Sequence, residues 1–259
     1  MNIVVCIKQV PDVDDIKWTK ENNLDRSQML SKINIYDEWA LDWALNIKYK
    51  FNNVKITAIS MGPKPATDIL NYALAKGCSR AILLCDKMFA ASDTLATSKI
   101  LSQAIKKLIP GFSIILTGQI AQDGDTAQVP VSMSQLLNII DITNATEIVN
   151  ADKDNVIVKQ KLDNKINIYE AKTPCLIAIK EECPDKYRPK IQDYIRAQSR
   201  GVEEYCFEDL EMNSEDVGIL GSPTTVFKAF RPEINKETIT IEENYTNFIL
   251  DMTKKVKFE

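Results

Sequence analysis

An α/β fold is what this sequence predicts, with a doubly wound, mostly parallel sheet and helices on both faces. Three observations predict it. Short apolar runs rich in β-branched residues alternate with helical periods through the first half of the chain, as strands buried on both faces by crossover helices do. The connections carry the turn and capping residues that strand–helix units need. At 259 residues the chain can bury a full core, as one large domain or two small ones.

The elements follow in order. "NIVVCIK" (Asn2 to Lys8) reads as a buried strand, and "YDEWALDWALNIKYK" as a helix with Trp39 and Trp43 on one core-facing stripe. "VKITAIS" is a strand closed by "MGPKP", and "ATDILNYALAKG" is a helix stopped by Gly77. "RAILLC" is a strand, followed by a helix opened by Ser92 or Asp93. "FSIILT" is the fourth strand, and "DTAQVPVSMSQLLN" begins another helix. The loops "QVPDVDD", "MGPKP", "DKMFAASDT" and "GQIAQDGDT" therefore open toward the carboxyl ends of the strands, where open α/β sheets bind ligands.

After about residue 143 the pattern changes to a run of β-strands: "ATEIVNA", a hairpin turning at "LDNK", and "CLIAIKEE". "KIQDYIRAQSRG" is a short helix. From about Val202 to Asn244 there is no strong periodicity, and "YTNFILDMTKKVKF" can form a terminal amphipathic helix. The expected organisation is an α/β domain over 1–200 (parallel core 1–142, added strands and helix 143–200). An extended arm over 201–259 is expected to wrap a partner, since it lacks a core of its own.

Composition excludes several classes. A net charge of −4 argues against a nucleic-acid binder, and no apolar run approaches the roughly 20 residues of a membrane span. The sequence enters a strand directly after Met1 with no signal-peptide pattern, so a cytoplasmic location is expected. The six cysteines (Cys6, Cys78, Cys85, Cys175, Cys183 and Cys206) show no CxxC pair and read as reduced thiols. There is no histidine, so imidazole-based triads and zinc sites lose their usual ligand and base.

The richest functional signal is "TGQIAQDGDTAQVP", Thr117 to Pro130. It matches neither the phosphate loop GxxxxGK[ST] nor the dinucleotide fingerprint GxGxxG. Two accounts fit it. In one, Asp125 caps the next helix, Gln128 completes a capping box, and Gly124 takes positive φ in a tight turn. In the other, the same helix start is an anion site: small residues admit a phosphate to the amides, Thr126 adds a donor, and Asp123 and Asp125 point away.

In order and spacing, several segments of the chain resemble the β subunit of an electron transfer flavoprotein. They are "VCIKQVPD", "INIYDEWALDWAL", "MGP", "ALAKGCSRAILL", "SDTLATS", "DGDTAQVP", "KTPCLIAI" and "GSPTTVFKAF". The resemblance covers essentially the whole chain. It implies a doubly wound domain with a C-terminal arm embracing an α subunit. It also implies a bound adenine nucleotide: AMP in the ordinary branch, a second FAD in the electron-bifurcating branch.

By that resemblance the phosphate segment is Asp123, Gly124, Asp125, Thr126, Ala127, Gln128 and Val129, preceded by Gly118. The adenosine side falls on Cys6, Asn34, Ile35, Tyr36, Asp37 and Met61, with Thr94 and Thr97 as additions. The chain departs from the family in two places. "GQIAQDGDT" lacks the basic residue and Gln-Ala-Ile that often follow the glycine, and "QVP" lacks the glycine often found before the proline. The "GSPTTVFKAF" arm and the short "DGDTAQ" loop favour FAD over AMP and the bifurcating branch. That branch implies NADH as electron donor, and ferredoxin or flavodoxin as one acceptor beside an acyl-CoA or other flavin dehydrogenase. "YRPKIQDYIRA" resembles the segment that recognises that dehydrogenase, and a solvated basic helix is the other reading.

"KQVPDVDDIKW" reads as a solvated loop, and Asn34 as a helix cap; the resemblance implies instead a wall of the nucleotide cleft and an adenosine contact. A universal-stress-type nucleotide sensor would share the parallel sheet but would not need the residues after Lys172 or the "GSPTTVF" arm. A nucleotidyl-transferring enzyme would show HxGH or SGGxDS, and neither occurs.

Overall fold

The computed structural model describes residues 1–12, 31–51 and 53–225, together with 245, 248 and 249. β1 (Asn2–Cys6) leads into an antiparallel ribbon of β2 (Gln9–Pro11) and β3 (Ser31–Ile33). Then come α1 (Ile35–Lys50), β4 (Lys55–Met61), α2 (Thr67–Lys76), β5 (Arg80–Leu84), α3 (Thr94–Leu108), β6 (Ile114–Gly118) and α4 (Gln128–Leu137). The rest comprises β7 (Ile140–Ala151), β8 (Asn155–Leu162), β9 (Lys165–Lys172), β10 (Cys175–Ile179), α5 (Ile191–Arg200), β11 (Glu203–Tyr205) and α6 (Phe207–Leu210).

Nine strands form one sheet in the order β11-β5-β4-β1-β6-β10-β7-β8-β9. Pairing is parallel from β11 through β7 and antiparallel for β7–β8 and β8–β9. The chain runs outward from β1 to β4 and β5, and then α3 carries it back to β6 on the other side of β1. That reversal leaves a crevice at the carboxyl ends of β1 and β6, the switch point where such sheets bind ligands.

Strand alternation divides the core in two. Ile3, Val5, Ile56, Ala58, Ile114, Leu116 and Ile177 pack under α1 and α2. Val4, Cys6, Ile59, Ile115 and Leu176 pack under α3 and α4. Helices on both faces explain why the central strands read as unbroken apolar runs, and every residue of β6 and β10 is buried.

The helix limits follow local chemistry. Gly77, at φ 128°, ends α2 and donates its amide to Ala73 O and Leu74 O. Asp93 caps α3 by accepting from the amides of Leu95 (2.9 Å) and Ala96 (3.0 Å). Asn138, in the left-handed region at φ 55°, ends α4 inside the run "LLNII", and Ile140 opens a strand earlier than the expected "ATEIVNA". The hairpin turns at Asp163 and Asn164, between β8 and β9, as expected. Trp43 is buried and Trp39 packs at the edge of the same core.

The aperiodic stretch after Val202 contributes more to the sheet than its pattern suggests. β11 is a parallel edge strand beside β5, held by the Arg80–Glu203 ion pair at 2.6 Å and by Cys85 N–H to Tyr205 O at 3.0 Å. Three residues are too few to show a two-residue period. Of the expected terminal helix near residues 245–258, Tyr245, Phe248 and Ile249 are helical; its other residues, the loop residues from 13 to 30, and "VFKAF" lie outside the described residues. Among the described residues no helix is long and apolar enough to cross a membrane.

Candidate functional site

Cys6, Met61 and Gly118 are the last residues of β1, β4 and β6, so three adjacent strands deliver them to one edge. α1 opens beside them with Ile35, Tyr36 and Asp37, directly after Asn34. Asp37 is the hub of this edge. Its carboxylate accepts from the Lys8 amide at 2.7 Å and from the Gly118 amide at 3.0 Å. Burial pushes its acid up to about 7, overriding the two amides that favour the charged form. Cys6 is buried nearby; burial, then the Asp37 charge, raises its thiol far above the ordinary range. Its thiol stays protonated and is no nucleophile.

Asn34 does not cap α1 with its side chain. Its Nδ2 donates to Ile120 O (2.8 Å) and its Oδ1 accepts from Gln122 N–H (3.2 Å), so it braces the loop after β6. Gln119, the residue after Gly118, is itself buried. It donates its amide to Ile179 O (2.8 Å) and accepts from Asn144 N–H (2.6 Å). That residue serves the framework and faces β7 and β10.

The loop from Asp123 to Ala127 corrects the capping account. Asp125 does not cap α4: its amide closes a turn onto Ala121 O at 2.8 Å, and the helix starts at Gln128, with Ala127 at its N-cap and no side-chain cap. Gly124 does not take positive φ; Asp125 (48°) and Ala127 (54°) do. Gln128 makes no capping box, since its Oε1 accepts from Thr94 Oγ1 at 2.7 Å. The first turn of α4 therefore presents amides that no side chain caps, behind a loop in which a Cβ on Gly124 would meet nothing within 4 Å. Thr117 Oγ1, near the end of β6, is buried and has no hydrogen-bond partner among the described residues. Asp123 turns sideways, to Lys8 Nζ at 2.7 Å, and Thr126 is exposed.

Thr94 joins this edge through Gln128, and Thr97 lies one turn further along α3, half-buried. The described part of the arm reaches the same place. Asp93 Oδ2 accepts from both the amide (3.1 Å) and hydroxyl (2.8 Å) of Thr224, and Ser222 Oγ accepts from Asp93 N–H at 2.8 Å. All the sequence-derived site residues thus stand around one edge, with Asn34 and Asp37 as braces and Asp123 to Val129 as the loop and first turn of α4. Sequence reasoning placed Lys8 only within the cleft-wall segment "KQVPDVDDIKW" and missed Gln119 and Asp93 as members of this edge.

A family model described as electron transfer flavoprotein domain matches residues 23–205. The chain is 38% identical over 238 residues to the electron transfer flavoprotein subunit beta of Megasphaera elsdenii, covering 90% of this chain and 88% of the relative. It is 35% identical over 250 residues to protein FixA of Azorhizobium caulinodans, covering 93% and 88%. It is 34% identical over 233 residues to subunit CarD of the caffeyl-CoA reductase–Etf complex of Acetobacterium woodii, covering 90% and 88%.

Proposed function

The chain belongs to the family of electron transfer flavoprotein β subunits and FixA proteins, and on that premise we propose that it binds an adenine nucleotide at the edge of β1, β4 and β6 as one half of a heterodimeric electron carrier. Its partner in this reading is an electron transfer flavoprotein α subunit. FAD is the favoured nucleotide, with NADH as electron donor; AMP is the alternative for a non-bifurcating member.

The uncapped first turn of α4 carries the reading. Helix amides and the dipole behind them favour a phosphate there. The open space at Gly124 leaves room for the ligand to approach, and the Thr117 hydroxyl, without a partner among the described residues, offers a buried polar contact. When bound, a flavin supplies all the redox chemistry. The chain's own residues hold and orient it: Asn34 and Asp37 fix the loop, Thr94 and Gln128 hold the start of α4, and Cys6 keeps its proton. No side chain is assigned as acid, base or nucleophile.

α5 supports a docking role toward an acyl-CoA or other flavin dehydrogenase. Ile191, Tyr194 and Ile195 form an exposed apolar stripe at helical spacing, 80%, 41% and 59% accessible. Ferredoxin or flavodoxin is the second acceptor in the bifurcating reading.

Co-purification with the α subunit, followed by flavin and nucleotide quantitation, tests the proposal. Two FAD per heterodimer, bleached by NADH, is the expected result. One FAD with AMP would select the alternative, and a heterodimer holding no adenine nucleotide would overturn the reading. Thr126→Asp, which puts a negative charge at the helix start, should lower nucleotide content.

A further inference from the structure

We propose that Lys8 is the phosphate-facing cation of this edge, a side chain that leaves Asp123 for the ligand's phosphate when a nucleotide binds. The inference rests on the nucleotide reading above and gives a specific role to Lys8, which the resemblance places only within "KQVPDVDDIKW" as a wall of the cleft.

The main chain of Lys8 is fixed at the centre of the crevice. Its amide donates to Asp37 Oδ2 at 2.7 Å, and its carbonyl accepts from Asn34 N–H at 2.9 Å. From that base the side chain spans the mouth between the ends of β1 and β6, placing Nζ 2.7 Å from both carboxylate oxygens of Asp123. Asp123 opens the short loop that delivers the uncapped amides of α4.

Charge gives the argument its direction. Asp37, Asp123 and Asp125 all stand at this edge. Among the described residues, Lys8 is the one basic side chain in an ion pair with any of them. A phosphate entering beside two exposed carboxylates needs a counter-charge, and α4's dipole offers only about half a unit. Lysine suits the task because its ammonium is a point charge on a flexible stem.

The present partner holds it loosely. The Lys8 and Asp123 side chains are 47% and 33% exposed, and ion pairs so open to water contribute little net stability. Exchange of Asp123 for a phosphate is therefore inexpensive. The competing account is a simple staple that holds the loop closed, with no role toward ligand.

Binding of AMP, FAD and adenosine to the full-length chain in complex with its α subunit, stripped of nucleotide, separates the two. Lys8→Met should weaken AMP and FAD on the order of tenfold or more, the scale of a lost charge-assisted contact, and leave adenosine, which has no phosphate, within about twofold. Lys8→Arg should restore most of the loss, and Asp123→Asn should hold AMP as well as or better than the native chain. Equal weakening of AMP and adenosine by Lys8→Met, an unchanged AMP affinity, or an Asp123→Asn defect matching that of Lys8→Met would each overturn the proposal. A native heterodimer that binds none of the three ligands would instead overturn the nucleotide reading itself.

Discussion

Gly118 donates its amide to Asp37 Oδ1 at 3.0 Å, and a Cβ at position 118 would overlap that same oxygen and lie 2.7 Å from Tyr36 Cβ. The end of β6 can pass this close to α1 only without a side chain. Gly118→Ala should therefore push α1 and the loop after β6 apart, at a cost of about 1–3 kcal/mol as for other overpacked sites. Thermal unfolding should show a lowered Tm, and the purified heterodimer should carry less nucleotide. An unchanged Tm would mean that the approach at Asp37 relaxes without strain.

Asp37 also predicts a pH dependence. Its acid is raised from 3.8 to about 7 in the folded protein, so between those values the native state holds a proton that the unfolded state has lost. Stability from this group is complete below pH 3.8 and declines as pH rises through about 7, with a slope of at most about 1.4 kcal/mol per pH unit. Asp37→Asn abolishes that slope while lowering stability overall, because an amide cannot accept from both the Lys8 and Gly118 amides as a carboxylate does. Denaturant unfolding of both proteins across this range checks it, and parallel pH profiles would refute it.

The residues that make up this edge were not equally legible. Cys6, Met61 and Gly118 were placed by the family resemblance, while the apolar runs gave only the parallel strands whose carboxyl ends share one edge. Asp93 was readable as a cap, since a helix start with a preceding acid is a local signal. Asp125 was misplaced because spacing cannot reveal that Asp125 and Ala127 take positive φ and delay α4 until Gln128. The bonds of Asp37 to residues 29 and 81 positions away, and of Lys8 to Asp123, are long-range and leave no periodic trace. β11 was too short to read, and its place beside β5 depends on Arg80.

Lys76, the last residue of α2, is buried against α1, with Nζ 2.5 Å from Asp42 Oδ1 and 3.3 Å from Glu38 Oε1. Breaking such a pair leaves a charge without its partner, so Lys76→Met alone should destabilise by roughly 3–5 kcal/mol. The double variant Lys76→Met/Asp42→Leu should recover much of that loss, because the pair's desolvation cost disappears with it. A double-mutant cycle by urea unfolding measures the coupling, and strictly additive losses would deny the pair its role.

On α5, Ile195→Glu replaces a 59% exposed residue and should change stability by no more than about 0.5 kcal/mol. If the Ile191, Tyr194 and Ile195 stripe receives a dehydrogenase, the variant should raise KM for that partner and keep its nucleotide. Unaltered electron transfer at limiting partner concentration would remove α5 from the docking surface.

Asp93 performs two tasks whose separation tests how the arm is attached. Its Oδ1 caps α3 through Leu95 and Ala96, and its Oδ2 holds Thr224 by amide and hydroxyl. These amides hold its acid below the usual range. Asp93→Ala removes both functions and should cost about 1 kcal/mol from the lost cap alone. Thr224→Val removes the hydroxyl contact and spares the cap, so it should leave the Tm nearly unchanged and expose the chain after Ser222 to proteolysis. Gly218 limits how far that release travels, because it donates to Ser92 Oγ at 3.1 Å and a Cβ there would strike Met88 O. Limited proteolysis of the two variants should therefore nick Thr224→Val beyond Gly218, whereas Asp93→Ala, with the start of α3 loosened as well, should also be cut near residues 88–93. Identical cleavage patterns would show that the arm is held elsewhere.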